Sequence, residues 1–206
     1  MRRRLILSLS ATAAVLCILM PAGAAQADSS SGCGVADLSQ PFLPWGDPGY
    51  YGLLPNGGFE RQASSWSLDG GAQVVSGNEP FYVHRDSDSR ALSLGDSGSA
   101  TSDPVCVNLQ SPTLRLLAQN SGSPLSSLAV SVQFTDVLGQ QRTLPVALVN
   151  SGSDWQPTTQ IPIVVNLLSL PLLSDGSSDV SFQFTPVGPG GDWTIDDVYL
   201  DPFKTN

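Results

Sequence analysis

Residues 128 to 135 read LAVSVQFT, a stretch in which apolar residues alternate one by one with small or polar residues. Residues 180 to 185, VSFQFT, alternate in the same way. Neighbouring side chains of a β-strand point to opposite faces, so each stretch predicts a strand with one apolar and one polar face. The two apolar faces consist of Leu128, Val130, Val132 and Phe134 in the first strand and of Val180, Phe182 and Phe184 in the second.

Turn-forming segments separate these alternating stretches from others like them. LGQQ follows the first stretch at residues 138–141, and GPGGD follows the second at residues 188–192. No convincing amphipathic helix stands out after residue 27. Short strands joined by turns, without crossover helices, predict an all-β, antiparallel two-sheet sandwich. The proline-interrupted apolar run of residues 161–173 is expected to form a buried strand and a connection between sheets.

The first 27 residues have the pattern of a secretion signal peptide. Three arginines follow Met1, an apolar run extends from Leu5 to Met20, and small residues lead to Ala27. This pattern predicts cleavage after Ala27 and export of the remaining chain. We therefore expect an extracellular protein, with no membrane insertion once the signal is removed.

The net charge of the exported chain limits the kinds of molecule that it is expected to bind. Removal of residues 1–27 takes away three of the nine basic residues and none of the eighteen acidic ones, which leaves a formal net charge of −12. Nucleic-acid phosphates and anionic lipids are bound by clusters of lysine and arginine, and the exported chain has no such cluster. Neither nucleic acid nor an anionic membrane surface is an expected partner.

Two cysteines remain after the predicted cleavage, Cys33 and Cys106. Thiols oxidise outside the cell, so we expect a disulfide between them. Closing a loop of this length stabilises a fold by about 4 kcal/mol in the chain-entropy model. The bridge would tie an N-terminal extension, residues 28–52, to a domain that spans residues 53–206.

The stretch GDWTIDDVYLDPF, residues 191–203, changes its alternation halfway. Trp193 and Ile195 share one parity, whereas Val198 and Leu200 share the other. A β-bulge at Asp196 and Asp197 produces such a change of register. It would turn a carboxylate towards apolar neighbours, which is costly without a cationic partner. Because basic residues are scarce, a bound cation is the partner that we expect.

Two segments near the ends of this domain resemble those of a known family. NGGFE at residues 56–60, followed by Trp66, and WTIDDVYLDP at residues 193–202 resemble the galactose-binding-like jelly rolls. The similarity is greatest to the carbohydrate-binding modules of secreted glucanases and xylanases. It implies a jelly-roll sandwich in which NGGFE opens the first strand and the first and last strands lie close together.

The same resemblance implies a structural calcium ion held by acidic residues from the two end strands. By position these are Glu60 and Asp197, with Asp196 or backbone carbonyls completing the shell, and oxygen donors are what calcium prefers. For Glu60 an alternative stays open. It could face solvent from a strand, or pair with Arg61 or Arg115.

Candidate carbohydrate-binding residues are aromatics beside polar groups in turns, because sugars stack on rings and hydrogen-bond through hydroxyls. One turn-rich segment, residues 41–52, contains Trp45, Tyr50 and Tyr51. The segment of residues 78–90 is the preferred site. Its candidate residues are Phe81, Tyr82, His84, Arg85, Asp86 and Asp88. The run Asp86-Ser87-Asp88 could also begin a calcium loop, but it lacks the glycine and distal glutamate of an EF-hand and so favours a solvated acidic turn. The remaining tryptophans, Trp66, Trp155 and Trp193, are expected in the core.

The ingredients of common enzymes are missing from this sequence. His84 is the only histidine, there is no G-x-S-x-G motif, and Glu60 and Glu79 are the only glutamates. We therefore predict a secreted, non-catalytic module that binds a cell-wall or environmental polysaccharide. An extracellular structural or protein-interaction domain is the alternative, and a glycoside hydrolase is a remote one.

Overall fold

The structure is a computed structural model that describes residues 37–108, 112–136, 138–163 and 177–201. The described residues belong to the second of two compact units, Cys33–Asn206. The predicted signal peptide, residues 1–27, and Cys33 lie outside the described residues. Signal cleavage and the Cys33–Cys106 disulfide therefore stay predictions.

The described residues form strands almost exclusively. One turn of 3-10 helix, Leu43–Trp45, is the exception, and no helix in these ranges is long and apolar enough to cross a membrane. The strands are β1 Gly52–Leu53, β2 Trp66–Asp69, β3 Gln73–Ser76, β4 Arg90–Gly95, β5 Ser99–Ser102, β6 Val105–Asn108, β7 Thr113–Asn120, β8 Ser127–Thr135, β9 Gln141–Val149, β10 Gln156–Pro157, β11 Ile161–Pro162, β12 Ser177–Val187 and β13 Asp192–Asp201.

The strands form two sheets, and every pair of neighbours is antiparallel. In the first sheet the order is β10-β7-β13-β4-β3, with β1 also paired to β13 and β11 to β7. In the second sheet the order is β2-β5-β12-β8-β9, with β6 also paired to β12. The first and last of these strands are neighbours, because β1 pairs with β13, although β1 precedes the NGGFE segment with which the first strand was predicted to begin.

The core lies between the two sheets and follows the alternation of the sequence. Strand β8 contributes Leu128, Val130 and Val132, all fully buried, and β12 contributes Phe182 and Phe184. Trp66 and Trp193 belong to the same core, as predicted. In the predicted strand-and-connection segment, Ile161–Pro162 forms β11 with Ile161 buried, and residues 164–173 lie outside the described residues.

Strand β13 contains the expected bulge. Its register against β7 shifts between Asp196, which is opposite Leu117, and Tyr199, which is opposite Arg115. Two residues, Asp197 and Val198, therefore stand against one residue of β7. The shift lets Trp193 and Val198 face the same core despite their opposite parity.

Residues 38–51, which we call the strap, cover the outer face of the first sheet. Phe42 and Tyr51 of the strap are fully buried in a second apolar cluster with Leu117 and Tyr199. Arg115 of β7 fastens the strap, since its guanidinium lies 4.2 Å from the centre of the Phe42 ring and 2.5 Å from the Asp47 carboxylate. The strap is thus held by its own packing in addition to any disulfide.

The NGGFE segment does not open a strand, contrary to the prediction. It forms turns between β1 and β2, because Asn56 and Phe59 have left-handed φ angles of 54° and 56°. The Asn56 side chain stabilises these turns by donating to the carbonyls of Gln62 and Ser64 and accepting from the amide of Arg61. The turn brings Phe59 into the core and Glu60 towards the loop before β4.

Candidate functional site

Four buried carboxylates meet where the loop of residues 77–89 packs against the bulge of β13. We call Glu79, Asp88, Asp196 and Asp197 the acidic cluster, and all four are buried. The loop connects β3 to β4 and is closed at its base by a hydrogen bond from the amide of Gly77 to the carbonyl of Ser89. The cluster therefore combines one loop with the irregular part of one strand.

Asp197 is the centre of this cluster. Its side chain is 1% exposed, and neither carboxylate oxygen has a hydrogen-bond partner. Its φ angle is +50°, which is unfavourable for a residue with a side chain and is imposed by the bulge. A buried charge without a partner is among the most costly groups that a fold can contain, so Asp197 needs a cation or a proton.

Asp196 and Glu79 differ from Asp197, because the carboxylates of both accept hydrogen bonds from backbone amides. Asp196 accepts from the amides of Glu79 and Asp197, at 3.3 and 2.9 Å. The Glu79 carboxylate accepts from the amides of Phe81 and Val83, at 2.5 and 2.7 Å. Glu79 thus joins the bulge, through its amide, to the tip of the loop, through its side chain.

The pKa values of the two aspartates show how unfavourable their charges are. Burial, followed by the neighbouring charge of Asp197, raises the pKa of Asp196 to about 9. Burial, followed by the charges of Glu79, Asp88 and Glu60, raises the pKa of Asp197 to about 8. The ordinary value is 3.8 for both groups.

Among the described residues, no ion pair gives Asp196 or Asp197 a basic partner. The basic group that pairs with a member of the cluster is His84, whose Nδ1 atom lies 2.6 Å from Oδ2 of Asp88. Ligand atoms of His84, Asp88 and Asp197 lie within 4.8 Å of one another. A Cβ added at Gly58 would be 2.9 Å from Oδ1 of Asp197, so glycine keeps space open beside that oxygen. Unpartnered oxygens beside open space fit a divalent cation.

Glu60 lies at the edge of this site rather than in it. Its carboxylate accepts from the amides of Ser89 and Arg90, at 2.7 and 2.8 Å, and so fixes the end of the loop. It pairs with neither Arg61 nor Arg115, and it does not lie in a strand. Glu60 and Asp88 nevertheless line the same cavity of about 250 Å³, which leads to the acidic cluster.

The raised pKa values predict how stability depends on pH in the presence of a metal chelator. The folded protein holds protons on Asp196 and Asp197 that the unfolded chain releases above its pKa of 3.8. The resulting stability is complete below pH of about 4 and is lost as the pH rises through the folded pKa values. Differential scanning calorimetry should show a falling midpoint between pH 4 and 9, and a shallower fall for Asp197→Asn. A midpoint that is constant or rises over this range would contradict the assignment.

A second feature, an exposed pair of aromatic rings, lies where the strap meets the same loop. Trp45 is 37% exposed and Phe81 is 46% exposed. Their rings meet edge to face, with 4.8 Å between the centroids. They line a groove of about 490 Å³, which we call the aromatic groove; it is formed by Gln40, Pro41, Pro44 and Trp45 of the strap and Phe81 and Val83 of the loop.

The structure therefore distributes the predicted binding residues over two places. Trp45 and Phe81, which come from the two separate candidate segments, meet in the aromatic groove. His84 and Asp88 belong to the acidic cluster or its edge, and the prediction of a solvated acidic turn is wrong for Asp88, which is buried. The exposed candidates outside the groove lining are Tyr50, Tyr82, Arg85 and Asp86.

Two other aromatic predictions need correction. Tyr51 is fully buried. Its hydroxyl donates to Asp47 and accepts from Gln160 beneath the strap. Trp155 is only partly buried and packs at the edge of the second apolar cluster. A tryptophan that follows a turn can cover a sheet edge as well as enter a core.

Sequence reasoning missed Glu79 as a member of the acidic cluster and Gln40 as a lining residue of the groove. Glu79 precedes a proline in a polar loop, a context that usually indicates a solvated turn. The clue in the sequence was the scarcity of glutamate. The carboxylates of both glutamates accept hydrogen bonds from backbone amides of this one loop. Nothing in the local sequence distinguishes Gln40.

A scan against protein-family models finds no match, and a search of curated proteins finds none either. Solved structures do match. The tandem of family 22 carbohydrate-binding modules from Xyn10C of Paenibacillus barcinonensis matches with a TM-score of 0.50 and 13% identity, over 74% of this chain and 44% of that one. A xylan-binding domain of family 22 matches with a TM-score of 0.45 and 15% identity, over 78% and 99%. A family 11 module of Clostridium thermocellum, in complex with a mixed-linked tetrasaccharide, matches with a TM-score of 0.44 and 13% identity, over 72% and 93%.

The similarity to the tandem modules shows the fold. The chain is an all-β, antiparallel jelly-roll sandwich, and the resemblance to galactose-binding-like jelly rolls stated from the sequence is confirmed at the level of the fold. This comparison does not extend to the site residues, because at 13% identity the side chains of one protein do not indicate those of the other.

Proposed function

We propose that this chain is a secreted, non-catalytic module that binds a polysaccharide in the aromatic groove. The single observation that carries the proposal is the exposed ring pair, Trp45 and Phe81. Monomeric proteins rarely leave large aromatic side chains open to water at a groove unless something binds there. Sugars present apolar faces that stack on such rings, and Gln40 offers an amide to a hydroxyl group.

Two further observations support a binding role. The matching tandem with a TM-score of 0.50 consists of carbohydrate-binding modules, which is an argument from analogy of fold. No carboxylate lines the groove among the described residues, whereas a glycoside hydrolase needs two of them at the scissile bond. Tyr50 and Tyr82 are exposed on the same two segments, and we propose them as contacts at the flanks of the groove.

We also propose calcium as a structural cofactor. Asp197 would be the central ligand, with Asp196, Glu60 and Asp88 as further oxygen donors. A bound cation supplies the positive charge that the buried carboxylates lack. The protein fixes these oxygens in two ways. The bulge positions Asp197, and backbone amides donate hydrogen bonds to Asp196 and Glu60.

Calcium should raise the midpoint of thermal unfolding of the wild-type protein. A ligand that binds only the folded state stabilises it by about 2.7 kcal/mol at one hundred times its dissociation constant. Asp197→Asn, which keeps the shape of the side chain but removes its charge, should lose this response. Asp69→Asn, at an exposed site on β2, is the matched control and should retain it. An equal response of both variants would rule out Asp197 as a ligand.

The function is tested by retention of the purified protein on insoluble cellulose, chitin, xylan and peptidoglycan in the presence of calcium. Retention on one matrix, released by the matching soluble oligosaccharide, is the expected result. Flow-through on every matrix would favour the extracellular protein-interaction alternative. Assaying the same columns for released sugar distinguishes a binding module from a hydrolase.

A further inference from the structure

The aromatic groove and the acidic cluster share one structural element, the loop of residues 77–89. Phe81 lines the groove from the tip of this loop, whereas Glu79 and Asp88 of the same loop belong to the cluster. Only Pro80 separates Phe81 from Glu79. A change at the cluster therefore acts on the loop that presents one of the two exposed rings.

The tip of the loop is held mainly by hydrogen bonds to the Glu79 carboxylate and by the packing of Val83 against the second apolar cluster. In the described part of the chain, the hydrogen bonds of residues 80–87 are those of the Phe81 and Val83 amides to Glu79, of the Asp88 amide to the carbonyl of Arg85, and of His84 to Asp88. None of these bonds reaches a strand of either sheet. By contrast, Glu60 fixes the amides of Ser89 and Arg90 at the end of the loop. The tip and the end of the loop thus depend on different carboxylates.

A cation at the acidic cluster would tie the loop to the bulge. His84 and Asp88 belong to the loop and Asp197 belongs to the bulge, and ligand atoms of the three lie within 4.8 Å of one another. The Asp197 oxygens have no hydrogen-bond partner, and among the described residues the hydrogen bond that joins the loop to the bulge is that of the Glu79 amide to Asp196, at 3.3 Å. Removal of the cation would therefore let the loop move away from the bulge.

We propose that cation binding at the acidic cluster controls carbohydrate affinity in the aromatic groove without any contact between the cation and the sugar. This inference rests on the function and the cofactor proposed above. With a cation present, Glu79 keeps Phe81 against Trp45 and the groove is preorganised. When the cation is removed, the loop opens, the ring pair separates and the sugar must bear the cost of ordering the loop.

The test measures loop opening and sugar binding separately. Chymotrypsin cleaves after exposed aromatic residues, so cleavage after Phe81 and Tyr82 reports loop opening without any sugar. Isothermal titration with xylohexaose, or with the oligosaccharide of whichever matrix retains the protein, reports affinity. Both are measured in calcium and in chelator, with calcium binding itself confirmed by titration of the metal alone.

In the wild-type protein, removal of calcium should speed cleavage in the loop and weaken sugar binding by at least tenfold. Asp197→Asn should remove the effect of calcium from both measurements, because it deletes the central cation ligand. Asp69→Asn, at an exposed site on β2, should respond to calcium as the wild type does. The thermal midpoints of both variants confirm that they are folded.

Two results would overturn the inference. The first is an unchanged sugar affinity with and without calcium in a protein that binds calcium, which would leave the carbohydrate function intact. The second is an unchanged rate of loop cleavage, or the absence of calcium binding. Either outcome would overturn the inference even if the protein binds no sugar. Failure on every polysaccharide together with calcium-dependent cleavage would instead overturn the proposed function and the sugar part of the inference.

Discussion

Replacing both Trp45 and Phe81 with alanine should reduce polysaccharide affinity by more than a hundredfold. Central aromatic side chains of a binding surface typically contribute about 2 kcal/mol each, which corresponds to about thirtyfold in the dissociation constant. Each single replacement should therefore lower affinity by about thirtyfold, and the loss should appear in isothermal titration as well as in column retention.

The fold should tolerate these changes, because neither ring belongs to the buried core. Thermal unfolding of the double variant is expected within a few degrees of the wild-type midpoint. Leu138→Ala is the matched control, since it removes an exposed apolar side chain from the turn between β8 and β9. Unaltered binding by the folded double variant would show that the sugar site lies elsewhere.

Replacing Arg115 with methionine should destabilise the protein by about 2 kcal/mol, between the losses expected for an exposed and for a fully buried ion pair, because Arg115 is buried and Asp47 is partly buried. Methionine keeps much of the apolar stem of arginine. It leaves the Asp47 carboxylate without its cation and the carbonyl of Thr158 without the donor Nε of Arg115. Because Phe42 also loses its contact with the guanidinium, the strap is the part of the protein that should loosen. Urea denaturation measures the loss of stability.

The double variant Arg115→Met with Asp47→Asn separates charge from packing. If the buried charge of Asp47 causes most of the loss, the second change should recover more than half of it, as a double-mutant cycle would show. A loss below about 1 kcal/mol for Arg115→Met would mean that the strap is held by Phe42 and Tyr51 alone.

The strands of the core could be predicted because their physical signal is local. Alternation along residues 128–135 and 180–185 reflects a face that must be buried, and it requires no knowledge of distant residues. The bulge at Asp196 and Asp197 was predictable for the same reason, as a break in that alternation. The turn at residues 56–60 was not, because Asn56 adopts a left-handed conformation that its side-chain hydrogen bonds make possible.

The two candidate sites depend on contacts between distant segments, and there the sequence is a weaker guide. Trp45 and Phe81 were both candidates, yet only the packing of the strap on the first sheet brings them together. Glu79 and Asp88 looked like solvated residues of a polar loop. Their burial follows from the position of the loop against the bulge, which no local pattern records.

The bulge of β13 also constrains how this protein can change during evolution. The extra residue that places Asp197 in the acidic cluster also sets the phase in which Val198 and Leu200 enter the core. Deleting that residue would turn both side chains outwards and draw Tyr199 inwards, so the deletion would disrupt the sandwich as well as the cluster. A descendant can lose the acidic cluster by substitution but not by shortening the strand. The interrupted alternation of residues 193–200 should therefore persist even in relatives whose aspartates have been replaced.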